Sequence, residues 1–227
     1  MKVGLTQRNL QSPDGLAQAF LIGEEFIGDE PCVMILGDNI FYGNGLGYKL
    51  NKAVENADDN KATIFGYYVE DPNRFGIVEF EQLSKDENRV ISVEEKPETP
   101  KSNYAIVGLY FYPKGVSEKA KQINPSARGE LEITSLNDLY LKENQLTVQL
   151  LGRGFSWMDA GTMDSLAEAS EFVRVVEKRQ GTIIGAPEEV AFRYNLVSKD
   201  TLMDSADKYG KSPYGQYLKQ VAKGKIL

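Results

Sequence analysis

One pairing constrains the fold of this chain more than any other feature: an amphipathic stretch leading straight into a short, continuously apolar run. Residues 31–36 (PCVMIL) are closed by Gly37 and Asp38, as expected of a parallel strand buried on both faces. Upstream, residues 14–27 (DGLAQAFLIGEEFI) place Leu16, Ala17, Phe20, Leu21 and Phe26 mostly on one helical stripe, after the start signals Ser12, Pro13 and Asp14. Helix followed by buried strand is the signature of an α/β protein.

The rest of the chain extends the pattern. A second helix is predicted over 47–57 and a strand over 62–69. Three β-rich stretches follow at 76–80, 89–93 and 104–112, the polar segment QLSKDEN forming a hairpin tip between the first two. Helices are predicted near 116–122 and 130–143, then a strand at 146–151. Residues 164–179 carry Leu166, Ala169, Phe172, Val173 and Val176 at helical spacing, end in lysine and arginine, and are stopped by Gly181. Two further helices, 187–194 and 214–222, form a small cap. The expected organisation is an α/β sheet domain over 1–180 and a C-terminal helical extension over 181–227.

Composition removes several kinds of chemistry. The chain has no histidine, which excludes Ser-His-Asp triads, histidine bases and the usual nitrogen-ligand zinc sites. Acid, base or metal chemistry must run on carboxylates, lysines or tyrosines. A net charge of −7 disfavours nucleic acid as a partner, but is compatible with a small phosphorylated substrate held by local amides, basic side chains and cations. The single cysteine, Cys32, reads as a core residue in a reducing compartment. No export signal and no run near the ~18 apolar residues of a membrane span is present, so a cytoplasmic protein without membrane contact is expected.

Several residues stand where chemistry could be placed, each with an ordinary alternative. Asp38 closes a strand, where open α/β sheets bind ligands and a carboxylate can hold Mg²⁺; it also fits a plain turn with Asn39. Asp159, in FSWMDAGT, precedes a long helix and is equally placed to cap it. Glu95 and Lys96 (VEEKP) end a strand, Gly76 (RFGIVEF) opens one, and Val107 and Tyr110 lie in a β-rich run suited to core packing. Arg128 precedes Gly129, Glu130 and Glu132, acids that suit a first helical turn.

Taken together, SPDGLAQAF at 12–20, LGDNIFYG at 36–43, VEEKPETPKSNYAIVGLYFY at 93–112, ARGELEIT at 127–134 and WMDAGT at 157–162 resemble the glucose-1-phosphate thymidylyltransferase family of sugar-phosphate nucleotidylyltransferases. Order and spacing match along essentially the whole chain, to SPYGQYL near its end. The resemblance implies a Rossmann-like nucleotide-diphospho-sugar transferase sheet with a β-rich sugar-binding part. The implied reaction is Mg²⁺-dependent transfer of dTMP from dTTP to glucose 1-phosphate, giving dTDP-glucose and pyrophosphate for dTDP-rhamnose and cell-surface polysaccharide biosynthesis.

By the same resemblance Asp38 and Asp159 bind the magnesium ion, and Glu95 accepts sugar hydroxyls. Lys96 and Arg128 hold the sugar phosphate, while Gly76, Val107 and Tyr110 complete the sugar site. Gly15 and Leu16 cover the thymine ring, whose reading glutamine would fall at Leu10, with Gln11 one residue later. Tyr42, Gly43, Arg153, Glu189 and Arg193 match a separate regulatory nucleotide site at a contact within a homo-oligomer, a tetramer in the family; Glu189 and Arg193, four apart, also fit a simple helix salt bridge. The family's opening GxGTRL loop comes before everything seen here. A chain lacking it is expected to be N-terminally truncated, without useful transferase activity and poorly stable alone, with an inactive sugar-nucleotide-binding fragment as the alternative. A glycosyltransferase would need a paired-aspartate motif where Asp38 is followed by Asn39 and Ile40.

Overall fold

A computed structural model describes residues 12–84 and 87–226. The chain divides into two compact units, 1–157 and 158–227.

In the first unit a six-stranded mixed sheet has the order β1-β6-β3-β7-β5-β4. Its strands are β1 (Cys32–Ile35), β3 (Ala62–Tyr68), β4 (Gly76–Gln82), β5 (Asn88–Glu95), β6 (Tyr104–Tyr112) and β7 (Leu146–Leu151). A separate two-stranded sheet joins β2 (Asn39–Gly43) to β8 (Phe155–Asp159), a strand that crosses the division. The helices of this unit are α1 (Gln18–Ile22), α2 (Glu24–Ile27), α3 (Leu46–Asp58), α4 (Val116–Ala120) and α5 (Ile133–Lys142).

Strand β6 is bonded to three others, β1, β3 and β4. Because successive side chains leave opposite faces of a strand, β6 feeds two cores. Ile106, Tyr110 and Tyr112 join one cluster with Phe20, Ile64, Val78, Ile133 and Leu136. Val107, Leu109 and Phe111 join another with Ala53, Phe65 and Leu151. In the first, the Phe20 and Tyr112 rings meet edge to face at 5.1 Å, and the Tyr112 hydroxyl donates to Asn137 Oδ1 at 2.6 Å, so the buried phenol keeps its polar end satisfied.

The α/β expectation is met, with four corrections. The stretch 14–27 is two short helices and not one, broken at Gly23, whose carbonyl accepts from both Phe26 and Ile27. The run 31–36 is an antiparallel strand, and only one of its faces is covered: Val33 is 47% and Ile35 62% exposed. Its only partner among the described residues is β6, which lies on one side of it. Within the sheet the pairing of β3 with β7 is parallel, whereas the other described ladders are antiparallel. The fourth concerns β2 and β8, which the apolar pattern did not announce.

In the second unit, α6 (Met163–Gln180), α7 (Pro187–Arg193), α8 (Lys199–Lys208) and α9 (Pro213–Ala222) follow one another. Thr162 caps α6 in a reciprocal capping box with Ser165, and Gly181 ends it at φ 69°. Ala186, Leu202, Ala206, Tyr217, Leu218, Val221 and Ala222 form the unit's own core. The helix α8 was not expected from its sparse apolar pattern. The division after Trp157 groups α6 with these helices, where the sequence pattern had suggested a boundary at 180.

Candidate functional site

At the paired ends of β4 and β5, Gly76 lies opposite Glu95. Thr134, in the first turn of α5, donates its hydroxyl to Glu95 Oε2 at 2.5 Å. The other carboxylate oxygen, Oε1, has two cations nearby, Arg128 Nη2 at 3.8 Å and Lys96 Nζ at 4.0 Å. Lys96 takes a left-handed backbone, φ 41°, costly for a side chain with a Cβ; its N–H donates to the Phe75 carbonyl at 3.1 Å, which pins the turn that aims it. A Cβ on Gly76 would stand 3.1 Å from Thr134 Oγ1 and 3.4 Å from Glu95 Oε2, so the glycine opens the space beside the carboxylate.

Arg128 is held chiefly by acids. It donates through Nε and Nη2 to Glu132 and through Nη2 to Glu130, all between 3.0 and 3.1 Å. Hydrogen bonding to Glu132 raises its affinity for its proton above the ordinary value. Glu132 is buried and stands at the N-cap of α5, yet its side chain caps nothing; it accepts from Ser126 and Arg128 instead. The acids that sequence pattern assigned to a first helical turn therefore build a socket for the arginine.

Tyr110 is buried on the face of this cluster, its phenol pushed up by burial and, secondarily, by the charge of Glu95. Val107 is on the opposite face of β6, its side chain in the core with Phe65 and Ala53. The pair expected together in a sugar pocket thus cannot both present side chains to it.

Asp38 follows β1 in an exposed turn, as the strand-end position predicts. Oδ1 accepts from Asn39 Nδ2 at 2.8 Å, and Oδ2 has no protein partner among the described residues. Asn39 Oδ1 in turn accepts from the Gly108 N–H at 3.0 Å and from Trp157 Nε1 at 2.6 Å. The Trp157 ring meets Phe75 at 5.2 Å and Tyr67 at 5.9 Å. A continuous chain of contacts thus runs from Asp38 through Asn39 and Trp157 to Phe75, Gly76 and Glu95. Asn39, Thr134 and Trp157 were missed as site residues by sequence reasoning; for Asn39 and Trp157 the available signal was their place inside LGDN and WMDAGT.

Asp159, the last residue of β8, falls in the second unit and accepts from the Gly161 N–H at 2.9 Å. It is not the cap of α6, a role taken by Thr162. Among the described residues no three acidic, cysteine or histidine side chains gather as a metal cage. Isolated carboxylates with a free oxygen fit Mg²⁺ all the same, since that ion is held by one or two carboxylates with phosphates and water supplying the rest.

Gly15, at φ 107°, packs against the backbone of Leu131, and Leu16 beside it is 43% exposed. Leu10 and Gln11 lie outside the described residues. Of the residues matched to a regulatory site, Tyr42 and Gly43 are on β2 and Arg153 is in the exposed turn before β8, all in the first unit. Glu189 and Arg193 are on α7 in the second, joined as the helix salt bridge at 2.7 Å. Tyr217 also donates to Glu189, and Arg193 Nη2 reaches the Ile226 carbonyl at 3.3 Å.

The fold is of the mixed α/β class, and residues 2–175 match the family model described as nucleotidyl transferase. The chain is 51% identical over 213 residues to the glucose-1-phosphate thymidylyltransferase of Neisseria meningitidis serogroup A, covering 93% of this chain and 72% of that protein. It is 48% identical to the enzyme of the same name from Mycolicibacterium smegmatis, over 96% of this chain and 74% of the relative. A Bacillus anthracis crystal structure assigned to the same enzyme, in complex with sucrose, superimposes with a TM-score of 0.62 at 38% identity, over 73% of this chain and 64% of that one. The chain spans less than two thirds of that solved structure. A UDP-glucose pyrophosphorylase, 23% identical with a TM-score of 0.63, shares the fold. The chain belongs to the nucleotidyl transferase family, in the glucose-1-phosphate thymidylyltransferase group.

Proposed function

We propose that the protein to which these residues belong transfers a thymidylyl group from dTTP to the phosphate of glucose 1-phosphate, releasing pyrophosphate. The observation that carries this reading is the meeting of Glu95, Lys96, Gly76, Thr134 and Arg128 at the joined ends of β4 and β5, in a chain belonging to this family. A phosphate oxygen of the sugar attacks the α-phosphorus of dTTP, a P–O bond forms there, and the bond to the bridging oxygen breaks as pyrophosphate departs. The attacking oxygen is already anionic, so no general base is required, in keeping with a chain without histidine. Catalysis rests on in-line positioning and on stabilising charge.

In this scheme Glu95 Oε1 accepts sugar hydroxyls while Thr134 holds Oε2. Lys96, and Arg128 from its acidic socket, face the sugar phosphate. Gly76 gives the sugar room, Tyr110 and the backbone at Val107 bound its site, and Gly15 and Leu16 lie against the base. Asp38 and Asp159 are each proposed as ligands of Mg²⁺, which would neutralise the triphosphate. The product's entry into dTDP-rhamnose synthesis, assembly as a homo-oligomer, and a regulatory role for Tyr42, Gly43, Arg153, Glu189 and Arg193 are part of the same proposal. In Glu189 and Arg193 a ligand would compete with an existing ion pair.

The test is steady-state pyrophosphate release with dTTP and glucose 1-phosphate. Glu95→Gln keeps the shape and loses the charge, and a hydrogen bond to a charged group contributes about 1.5–3 kcal/mol. The KM for glucose 1-phosphate should rise about tenfold or more, with that for dTTP unchanged. A variant with both constants unaltered would reject Glu95 as the sugar contact.

A further inference from the structure

We infer that Asn39 is a positioning residue that aims the Asp38 carboxylate and couples it to Trp157. The inference rests on the reading of Asp38 as a cation ligand. Its observation is the set of three hydrogen bonds made by one side-chain amide. Gly108 N–H and Trp157 Nε1 converge on Asn39 Oδ1 at 3.0 and 2.6 Å, and Asn39 Nδ2 reaches Asp38 Oδ1 at 2.8 Å.

Both convergent groups are obligate donors, so the amide atom between them must be the oxygen. Its orientation is thereby decided by the fold. The NH₂ group is forced to face Asp38, and it can only donate. One carboxylate oxygen is held while the other is left free for a cation, the arrangement by which outer-shell partners orient metal ligands.

The site is built to receive this amide. A Cβ on Gly108 would lie 2.7 Å from Asn39 Oδ1 and 2.8 Å from Leu36 Cβ, so only a residue without a side chain lets β2 approach β6 this closely. Leucine would keep the bulk of Asn39 and lose all three bonds. Aspartate would keep both acceptor bonds but could not donate to Asp38.

Trp157 is the only tryptophan in the chain, so its indole N–H gives a single resonance and its fluorescence a single source. A cation drawing on Asp38 pulls on Asn39 and hence on the indole hydrogen bond. The experiment titrates Mg²⁺ alone into ¹⁵N-tryptophan-labelled protein, and Mn²⁺ alone with binding followed by electron paramagnetic resonance. The wild type, Asp38→Asn and Asn39→Leu are compared.

The expected results are a Mg²⁺-dependent shift of the indole peak in the wild type, its loss in Asp38→Asn, and Mn²⁺ binding about 10–100-fold weaker in Asn39→Leu. If Asp38→Asn binds Mn²⁺ like the wild type, or the wild type binds none, Asp38 is not a cation ligand and both readings fall. If binding depends on Asp38 but Asn39→Leu binds as tightly as the wild type, Asp38 stands and Asn39 is overturned. Should Asn39→Leu not fold, the wild-type spectrum still decides: an indole peak that stays fixed while Mn²⁺ binds through Asp38 severs the link through Asn39.

Discussion

Gly15→Ala is the substitution whose cost the structure defines most sharply. A Cβ at this position would stand 2.5, 2.6 and 2.8 Å from the O, N and C atoms of Leu131. Those are backbone atoms and cannot turn aside as a side chain would. The same loop is stitched by two backbone bonds, Leu131 N–H to Asp14 O at 2.6 Å and Ala17 N–H to Leu131 O at 3.1 Å. At φ 107° alanine is also strained by about 1–2 kcal/mol. Displacing the loop adds the two bonds at about 1 kcal/mol each and the strain of an overpacked contact, about 1–3 kcal/mol. The total is about 4–7 kcal/mol.

Gly45 supplies the control in the same unit. It too has a positive φ, 85°, but a Cβ there meets nothing within 4 Å. Gly45→Ala should therefore cost only the backbone strain of about 1–2 kcal/mol. Urea unfolding followed by the emission of Trp157 measures both. Gly15→Ala should unfold more easily than Gly45→Ala by about 3–5 kcal/mol, and Leu16 should move with the loop. Equal stabilities for the two variants would refute the backbone contact as the reason for glycine at position 15.

Thr134→Val removes the donor to Glu95 Oε2 while keeping its shape, and should raise the KM for glucose 1-phosphate about tenfold, a loss of roughly 1–1.5 kcal/mol; Thr134→Ser should restore it. The Cys32 thiol is pushed up to about 11 by burial, so its thiolate fraction at pH 8 is about 100-fold below that of a free cysteine and alkylation should slow to match. The raised value favours the protonated fold: the contribution is intact below pH 9 and lost as pH climbs toward 11, which unfolding curves at pH 8 and pH 11 will check. In the second unit, Glu189→Ala leaves Arg193 and the buried Tyr217 without their shared acceptor and should destabilise the helices by about 2–4 kcal/mol. Arg174→Ala, which loses only an exposed pair with Glu171, should leave the unfolding midpoint where it is in the wild type.

Much of this molecule was determined by the sequence alone, wherever the signal is local. The helix α6 ends at the Gly181 that marks its stop in the sequence, and β3, β6 and β7 fall on the β-rich runs that predict them. The segments carrying Asp38, Glu95, Lys96 and Gly76 were legible for the same reason: strand ends and turn residues mark themselves. Tertiary structure decided what depends on partners distant in the chain. That 31–36 runs antiparallel follows from its neighbour being β6, which an apolar run cannot specify. That Thr134 holds Glu95, and that Asn39 turns its amide toward Asp38, depend on groups as far apart as Asn39 and Trp157. Hydrogen bonds of that span leave no periodic trace, because only the folded backbone brings donor and acceptor within 3 Å of each other.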